Sequence, residues 1–343
     1  MTDNMKKKSK YNVAVVGAKG AVGYEIIKIL EERNFPVAEL YPFGSARTAG
    51  SSILFQGNQI KIRELKFTPA EFNGIDIVLS SPGASISKKF VPHALKSGAV
   101  IVDNTSAFRM DPKVPLVIPE INGSDIKKHN GIIANPNCSA IIMLMVVAPL
   151  HRKNRVNRIV CATYQSASGA GSRAMQELED QTRAYLEKKE LKIEAFPHQI
   201  AFNLFSHNST VVENGFNEEE LKMIQESRKI LHDDSIRIVT TCVRVPIFRA
   251  HSEAIFLEFE KKITANEARQ ILSNAPGVKV VDDAKKNHFP MPIEASGKDD
   301  VLVGRIHEDL STENGLSLFV SGDQLRKGAA LNAIQIAEAL IQS

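Results

Sequence analysis

The sequence has little cysteine, little excess of either charge and no long apolar run. Its three cysteines, Cys138, Cys161 and Cys242, are an odd number without metal-ligand or disulfide-framework spacing, so we expect no metal site and a reducing, cytoplasmic environment. The net charge is only +4, with 43 basic and 39 acidic residues, which does not indicate a nucleic-acid partner. No apolar stretch approaches the roughly 20 residues that span a bilayer, and the polar residues 1–10 lack the apolar core of an export signal. We therefore expect a protein that is neither inserted in a membrane nor exported.

A glycine-rich turn follows the first apolar run of the chain. Tyr11–Val16 is typical of a strand, Gly17–Gly23 carries glycine at every third position, and Tyr24–Arg33 is typical of an amphipathic helix. In a strand–turn–helix unit, such a turn lets the backbone approach a pyrophosphate at the helix N-terminus. A flexible turn without a ligand is the alternative. The segment predicts dinucleotide binding through Gly17, Lys19, Gly20, Ala21, Val22 and Gly23.

The polar loop after the second strand indicates which dinucleotide the chain binds. Ala38–Phe43 is followed by a loop without a carboxylate at the place where an NAD site holds the ribose 2′-hydroxyl. Ser45, Arg47 and Thr48 offer two hydroxyls and a guanidinium instead. These groups complement a 2′-phosphate, so the loop favours NADP over NAD. The alternative is a solvated loop with no ligand.

Near-continuous apolar strands alternate with helices in the first part of the chain. Strands at Ile75–Ser81 and Ala99–Asn104 flank a helix at Ser87–Ser97, a pattern typical of a parallel sheet covered on both faces. Ligands bind beyond the carboxyl ends of such strands. The polar residues that follow them should therefore converge, and Ser81 and Gly83 become further cofactor candidates.

The chain is long enough for two domains with cores of their own, and it is 43% hydrophobic and 24% charged. Its later part changes to longer alternating strands and long amphipathic helices, which suggests helices on one side of a sheet and an open face for dimerisation. The predicted fold class is α/β. A Rossmann-like parallel-sheet domain covers residues 1–137, an α+β domain covers residues 138–322, and a C-terminal helix within residues 323–343 packs back on the first domain.

Cys138 occupies a position that suits a reactive thiol. It follows a turn at Asn135–Asn137 and precedes Ile141–Val147, which is typical of a buried helix and should end near Pro149. Asn137 is a good N-cap, so Cys138 should lie in the first helical turn. There the helix dipole and the backbone N–H groups favour a thiolate and lower the pKa of the thiol. For a lone cysteine the alternative is a small buried apolar side chain.

A thiol nucleophile needs a proton shuttle, which the fold brings close. Among nine histidines, His251 lies at a turn between two strand-like segments, near Arg244 and Arg249. A surface histidine with satisfied hydrogen bonds is the alternative. Arg244 lies within a strand, where burial requires an anionic partner. That partner is either an internal carboxylate or the carboxylate of a substrate.

From about Asn12 to Glu338 the chain resembles the aspartate-β-semialdehyde dehydrogenases of the shorter bacterial type. The resemblance rests on ordered motifs at residues 17–23, 45–50, 103–109, 117–122, 135–139, 164–171, 244–246 with 250–252, and 325–330. It implies reversible, NADPH-dependent conversion of β-aspartyl phosphate to aspartate semialdehyde, phosphate and NADP. This is the branch-point step towards lysine, methionine, threonine and isoleucine.

The resemblance also implies roles for four central residues. Cys138 matches the nucleophile that attacks the acyl phosphate and carries a thioester, which hydride from the nicotinamide reduces. His251 matches the general acid and base, and Gln165 orients groups around the thiohemiacetal. Arg244 matches the residue that holds the substrate α-carboxylate in a bidentate grip.

Further substrate contacts follow from the same resemblance. Glu226 falls where the family has an acid near the substrate amino group, and Lys229, Arg109 and Asn137 match its phosphate-binding positions. Glu226 and Lys229 lie on a charged helical stretch that could be a solvated face. The alternatives in a neighbouring register are Glu219, Glu220 and Lys222.

The remaining cofactor positions are Ser168, Gly169 and Gln324. Gln324 stands where many members of this type carry asparagine, so an amide is retained but its role could shift. Thr48 stands where serine is common, which keeps the hydroxyl.

Two other functions would use the same thiol and cofactor. N-acetyl-γ-glutamyl-phosphate reductase uses the same thiol and NADPH chemistry, but its acetylated substrate has no charged amine for Glu226. A non-catalytic NADP-binding redox sensor would use Cys138 as its switch and would need neither Arg244 nor His251.

The resemblance implies a homodimer or tetramer in which the sheet faces of the second domain pair. It also implies that the substrates are small molecules. The candidate contacts are Tyr185, Phe202, Leu204 and Phe205, for which a core role is equally compatible with the sequence.

Overall fold

The structure is a computed structural model that describes residues 7–342. Residues 1–6 of the polar N-terminal segment, for which no export signal is expected, and Ser343 lie outside the described residues. The chain divides into two compact units, one formed by the described residues up to Asn137 together with those from Ala329 onward, the other by Cys138–Gly328. Across residues 7–342, no helix combines the length and apolar character needed to cross a membrane.

The first unit is built on the predicted parallel sheet. Its strands are β1 (Tyr11–Val16), β2 (Val37–Gly44), β3 (Ser52–Phe55), β4 (Asn58–Lys61), β5 (Arg63–Glu64), β6 (Ile77–Ser80), β7 (Val100–Asp103) and β8 (Ile132–Ala134). Six of them form one sheet in the order β5-β2-β1-β6-β7-β8, and all of its pairs are parallel. β3 and β4 form a separate antiparallel hairpin that the sequence patterns did not predict. The order places β1 in the interior of the sheet, with the glycine-rich turn at its carboxyl end.

Helices cover this sheet as the apolar strands require. They are α1 (Ala21–Glu32), α2 (Ala84–Lys96) and the short α3 (Pro119–Asn122). Val13, Val15, Leu79 and Val102 of the strands belong to one buried cluster with residues of α1. Burial on both faces explains why these strands are almost uninterrupted apolar runs.

The C-terminal helix belongs to the first unit. Leu331–Gln342 forms this helix, which contributes Ile334 and Ile336 to the core of the unit, and Arg33 Nε lies 2.7 Å from Glu338 Oε1. The prediction of a returning helix is confirmed. Its expected start is corrected, because the returning segment begins at Ala329 while residues 323–328 lie in the second unit.

The second unit is an α+β structure. Its helices are α4 (Cys138–Lys153), α5 (Ser172–Leu186), α6 (Glu218–Leu231), α7 (Ala265–Ser273) and α8 (Pro292–Ala295), and α9 is the returning helix Leu331–Gln342 of the first unit. Its strands are β9 (Val156–Gln165), β10 (Phe205–Ser206), β11 (Arg237–Arg244), β12 (His251–Phe259), β13 (Val278–Val280), β14 (Val301–Glu308) and β15 (Gly315–Gly322). They form one sheet in the order β10-β11-β9-β12-β15-β14-β13.

One face of this sheet is covered by helices and the other is open. α4, α6 and α7 pack against its strands. On the opposite face Tyr164, Val239 and Phe256 are exposed large apolar side chains, and the Tyr164 and Phe319 rings lie 6.3 Å apart. The open apolar face agrees with the alternating strand pattern.

Helix α4 starts at Cys138, so the prediction that the thiol lies in a first helical turn is confirmed. The predicted end near Pro149 is wrong. The helix continues to Lys153 with Pro149 inside it, and Leu150 beyond the proline is fully buried. Burial along nearly the whole helix offsets the intrinsic cost of an internal proline.

Candidate active site

The glycine-rich turn of the first unit has the shape of a dinucleotide cradle. Gly17 has φ 86°, and a Cβ there would lie 2.9 Å from the carbonyl oxygen of Ser81, so a side chain is excluded on both counts. A Cβ at Gly23 would collide with the carbonyl oxygen of Gly17. Gly20 is the N-cap of α1 and provides no side-chain cap, which suits backbone N–H groups directed at a phosphate.

The hydroxyl loop lies beside this turn. The main-chain N–H groups of Gly17 and Ala18 both donate to the carbonyl oxygen of Phe43, near the end of β2. The loop that follows is a tight turn, in which Thr48 Oγ1 donates to the carbonyl oxygen of Ser45 at 3.1 Å. Arg47 is exposed on this loop. The structure therefore brings together the two segments that the sequence assigned to the cofactor.

The carboxyl ends of β6, β7 and β8 also meet. The fully buried Asp103 accepts hydrogen bonds from the hydroxyls of Ser80 at 2.6 Å, Ser87 at 3.0 Å and Thr105 at 2.8 Å. Arg109 lies at the same edge. Its Nε donates to the carbonyl oxygen of Asn135 at 2.9 Å, and its Nη2 donates to that of Asn104 at 2.8 Å. Asn137 ends this unit, directly before Cys138.

In the second unit, three predicted residues share one edge of the sheet. Gln165 ends β9 and pairs with Arg244 at the end of β11. His251 begins β12, which pairs antiparallel with the other side of β9. All three side chains are buried. A Cβ at Gly169 would lie 2.8 Å from Nη1 of Arg244 and 3.1 Å from Nε2 of His251, so the guanidinium and the imidazole face the same small space.

Arg244 is held by uncharged acceptors. Its Nε donates to Asn208 Oδ1 at 3.1 Å, its Nη1 donates to the carbonyl oxygen of Ser166 at 3.1 Å, and its Nη2 lies 2.8 Å from His207 Nε2. Burial lowers the pKa of Arg244, and the nearby charges of Glu219 and Cys138 oppose that effect. A buried guanidinium with mostly neutral partners is suited to bind an anion.

Hydrogen bonds to one ring nitrogen assign the tautomer of His251. The main-chain N–H of Ser166 donates to Nδ1 at 3.1 Å, so a neutral ring carries its proton on Nε2. Nε2 is buried and has no hydrogen-bond partner among the described residues. Burial and the Arg244 charge lower the pKa of His251 to about 3. His251 is therefore a neutral imidazole that presents an N–H to the space beside Gly169.

A ring of hydrogen bonds fixes the turn that carries this histidine. Ser166 Oγ lies 3.1 Å from His251 Nδ1 and 3.0 Å from Ser168 Oγ. The Gln324 side chain closes the ring, because its Nε2 donates to Ser168 Oγ and its Oε1 accepts the main-chain N–H of Ala250 at 2.9 Å. Ala250 has φ 74°, a conformation that costs a non-glycine residue free energy and needs such support.

Cys138 is half-buried at the start of α4. A Cβ at Gly328 would lie 3.0 Å from the Cβ of Cys138, so glycine at this position leaves room beside the thiol. Cys161 and Cys242 are fully buried, and burial raises the pKa of both thiols, that of Cys161 well above its ordinary value. Of the three cysteines, Cys138 is the one that reagents can reach.

The acidic residue beside Gln165 is Glu219 rather than Glu226. Glu219 Oε1 accepts a hydrogen bond from Gln165 Nε2 at 3.4 Å, and Lys222 Nζ lies 3.7 Å from Glu219 Oε2. Glu226 lies on the same helix two turns further on, about 10 Å along its axis. Of the two register alternatives, Glu219 therefore contacts the predicted site residue Gln165, and Lys222 is paired with Glu219.

Two residues at this site had no sequence signal of their own. His207 lies in a loop before α6, and Ser166 lies in a run of small residues whose hydroxyls gave no indication of a partner.

Among residues 7–342, no group of three or more His, Cys, Asp and Glu side chains could hold a metal ion.

Comparisons with known proteins place this architecture in a class. The family model described as the semialdehyde dehydrogenase NAD binding domain matches residues 12–129, and that of the semialdehyde dehydrogenase dimerisation domain matches residues 147–327. The parallel-sheet unit and the thiol-bearing α+β unit thus define a semialdehyde dehydrogenase that uses a nicotinamide cofactor.

Individual relatives narrow the class. The chain is 53% identical to aspartate-semialdehyde dehydrogenase of a Synechocystis strain, over 97% of this chain and 98% of the relative. It is 45% identical to that of Bacillus subtilis, over 96% and 97%. The crystal structure of aspartate semialdehyde dehydrogenase II from Vibrio cholerae, complexed with ASA, matches with a TM-score of 0.94 at 40% identity, over 98% of this chain and 99% of that one. The chain belongs to the aspartate-semialdehyde dehydrogenase family.

Proposed function

We propose that the enzyme reduces β-aspartyl phosphate to aspartate semialdehyde with release of phosphate, using NADPH, and that it catalyses the reverse reaction. The reaction leads towards lysine, diaminopimelate, methionine, threonine and isoleucine. The observation that carries the proposal is the convergence of Gln165, Arg244 and His251 at one sheet edge, in a chain that belongs to this family.

Cys138 is the nucleophile in this proposal. Its thiolate attacks the β-carbonyl carbon, and the carbon–oxygen bond to phosphate breaks. Inorganic phosphate departs, and the acyl group remains on the sulfur as a thioester. The start of α4 supports the thiolate, because the dipole of a helix favours negative charge at this end. Arg244 adds a positive charge within electrostatic range of the sulfur.

His251 acts in the second half of the reaction as a hydrogen-bond donor. Its Nε2–H is set to hydrogen-bond the oxyanion that forms when the thioester is reduced. The oxyanion then re-forms the carbonyl group, the carbon–sulfur bond breaks, and the aldehyde and the thiolate are released with no net transfer of a proton. Gln165 lies between Glu219 and Arg244, 3.4 Å from each, and orients the groups around the thiohemiacetal carbon.

Two charged residues recognise the amino-acid end of the substrate. Arg244 binds the α-carboxylate through its Nη1–Nη2 edge, beside which a side chain at position 169 would collide with Nη1. We assign the substrate amino group to Glu219 in place of Glu226, because Glu219 contacts Gln165. We assign the lysine that contributes to phosphate binding to Lys222 in place of Lys229, because Lys222 Nζ lies 3.7 Å from Glu219 Oε2. Arg109 and Asn137 keep the phosphate roles that the sequence implied.

NADP is the cofactor we propose, and when bound it supplies the hydride. The turn Gly17–Gly23 fits its pyrophosphate, because the close main-chain packing at Gly17 and Gly23, which excludes side chains, is the tight turn at a helix N-terminus that this group requires. Arg47 and the hydroxyls of Ser45 and Thr48 complement a 2′-phosphate. The remaining positions assigned to the cofactor are Lys19, Gly20, Ala21, Val22, Ser81, Gly83, Ser168 and Gly169. Gln324 is assigned instead to the turn before His251, because Ala250 and Ser168 engage both ends of its amide.

We further propose a homodimer, or a tetramer made of two such dimers, formed through the open sheet face of the second unit. Exposed Tyr164, Val239 and Phe256 make that face apolar. Tyr185, Phe202 and Leu204 are also exposed, and the rings of Tyr185 and Phe202 have centroids 4.6 Å apart. Phe205 is half-buried against Phe196.

We propose a cytoplasmic location, because three cysteines without a disulfide are typical of a reducing compartment.

Steady-state kinetics test the function. With aspartate semialdehyde, purified enzyme should reduce NADP over many turnovers only when phosphate is added, should prefer NADP to NAD, and should lose activity in Cys138→Ala. Turnover with N-acetylglutamate semialdehyde alone would assign the rival reductase. Binding of NADP without turnover of either aldehyde would assign the redox sensor.

A further inference from the structure

His207 connects the two charged residues that the proposed function assigns to the substrate. His207 belongs to the loop that joins β10 to α6, and it is half-buried. Its Nε2 is 2.8 Å from Arg244 Nη2, and its Nδ1 is 3.0 Å from Ser209 Oγ. Ser209 Oγ in turn accepts the main-chain N–H of Glu219 at 3.2 Å. A continuous hydrogen-bonded chain therefore runs from the guanidinium to the start of the helix that carries Glu219.

The directions of these hydrogen bonds are fixed by chemistry. A guanidinium can only donate, so His207 must accept at Nε2 and carry its proton on Nδ1. That proton is donated to Ser209 Oγ. The main-chain N–H of Ser209, 3.2 Å from the same nitrogen, cannot also donate to it in this tautomer. Burial and the Arg244 charge lower the pKa of His207 to about 4, so the accepting tautomer persists at neutral pH.

The contacts divide the guanidinium into two edges. Nε and Nη2 form one edge, which Asn208 and His207 occupy at 3.1 and 2.8 Å. The other edge lies between Nη1 and Nη2, where Nη1 donates to the carbonyl oxygen of Ser166 at 3.1 Å and to Gln165 Oε1 at 3.4 Å. A Cβ at Gly169 would lie 2.8 Å from Nη1, so glycine keeps the space beside this edge in which the proposed function places the substrate carboxylate. The acceptors on the first edge determine where the second edge points.

We propose that His207 is a positioning residue, which holds Arg244 in the orientation that receives the substrate carboxylate and ties it to the helix start bearing Glu219. The proposal rests on the proposed roles of Arg244 and Glu219. A substrate with a carboxylate and an ammonium on one carbon needs both groups at a fixed separation, and His207 with Ser209 sets that separation.

The test compares three aldehydes in steady-state assays of His207→Ala. Aspartate semialdehyde and succinic semialdehyde carry the carboxylate, whereas 3-aminopropanal lacks it. The variant should raise the KM for both carboxylated aldehydes roughly tenfold, as expected for loss of one hydrogen bond to a charged group. The KM for 3-aminopropanal, phosphate and NADP should remain within about twofold, and kcat should change little. His207→Gln, which keeps an acceptor, should restore most of the loss.

Two further variants keep the outcomes distinct. His198→Ala removes an exposed histidine earlier in the same unit and should leave every KM unchanged. Arg244→Ala should raise the KM for the carboxylated aldehydes more than His207→Ala does, and if it does not, the proposed role of Arg244 fails. With that role intact, the positioning proposal is overturned if His207→Ala lowers or preserves the KM for aspartate semialdehyde. It is also overturned if all three aldehydes are affected equally.

Discussion

The main-chain N–H of Ser166 donates to Nδ1 of His251 at 3.1 Å. This single contact decides what the histidine can do, because it leaves the ring proton on Nε2, the nitrogen that faces Arg244 and the space beside Gly169. In this tautomer His251 donates a hydrogen bond through Nε2 and has no free nitrogen to accept the proton of the thiol. In the proposed reaction, activation of the thiol therefore depends on the start of α4 and on Arg244 rather than on a preformed thiolate–imidazolium pair.

Imidazole NMR tests this assignment directly. In two-bond 1H–15N correlation spectra, His251 should be neutral and protonated on Nε2 at pH 7. Because burial and the Arg244 charge lower its pKa to about 3, the ring should remain neutral down to about pH 5. The His251→Asn variant identifies the signal. A charged ring or an Nδ1–H tautomer at pH 7 would contradict the assignment.

Two glutamates on α6 offer a matched comparison. Glu219 contacts Gln165 at 3.4 Å, whereas Glu226 lies two helical turns away. Glu219→Gln should raise the KM for aspartate semialdehyde by roughly tenfold or more, because it removes a charged partner of the substrate ammonium. Glu226→Gln should leave that KM within about twofold. The reverse order of effects in the same kinetic assay would return the amino-group role to Glu226.

Both ends of the Gln324 amide are engaged within the second unit, by Ala250 and by Ser168. Gln324→Ala should loosen the turn before His251 and lower kcat by roughly tenfold, because the hydrogen-bond donor to the oxyanion is displaced. The KM for NADP should rise by less than about threefold. Gln335→Ala, which removes an amide on α9, is the control. A large rise in the KM for NADP with normal kcat would instead support direct contact of Gln324 with the cofactor.

Glu253 predicts an unusual dependence of stability on pH. It is fully buried, Cys161 Sγ lies 3.9 Å from its Oε2, and burial raises its pKa well above the ordinary value. The folded state therefore keeps a proton that the unfolded chain loses above about pH 4.3, so this group destabilises the fold as pH rises. Glu253→Gln removes that effect. Its free energy of unfolding relative to the wild type should increase by about 1.4 kcal/mol per pH unit.

Urea denaturation at pH 5.5, 6.5 and 7.5 measures that difference. Glu258→Gln, on the same strand but only half-buried, should show no comparable trend. A difference between Glu253→Gln and the wild type that is constant with pH would mean that Glu253 is ionised in the folded protein.

Local patterns carried much of the fold. The apolar run at Tyr11–Val16, the glycine spacing of Gly17–Gly23 and the position of Cys138 each depend on neighbours in sequence, and the structure has all three features. The end of α4 was not predictable in the same way. Pro149 terminates an isolated helix, and only the burial of Leu150 beyond it shows why the helix continues.

The candidate site depended on tertiary contacts that periodicity cannot resolve. Glu219 and Glu226 are seven residues apart, two helical turns, so they share a face and the pattern alone gives no reason to prefer either. His207 and Ser166 gave no signal because their roles arise from a loop and a main-chain N–H that meet Arg244 and His251 only in the folded chain.

In the proposed reaction Cys138 carries the acyl group, and a burst experiment can detect this intermediate. Enzyme mixed with aspartate semialdehyde and NADP, without phosphate, should form about one NADPH per active site and then stop. Peptide mass analysis should locate an aspartyl thioester on Cys138 and none on the buried Cys161 or Cys242, and addition of phosphate should release it. Continuous NADPH formation without phosphate, or a burst that persists in Cys138→Ala, would contradict the claim.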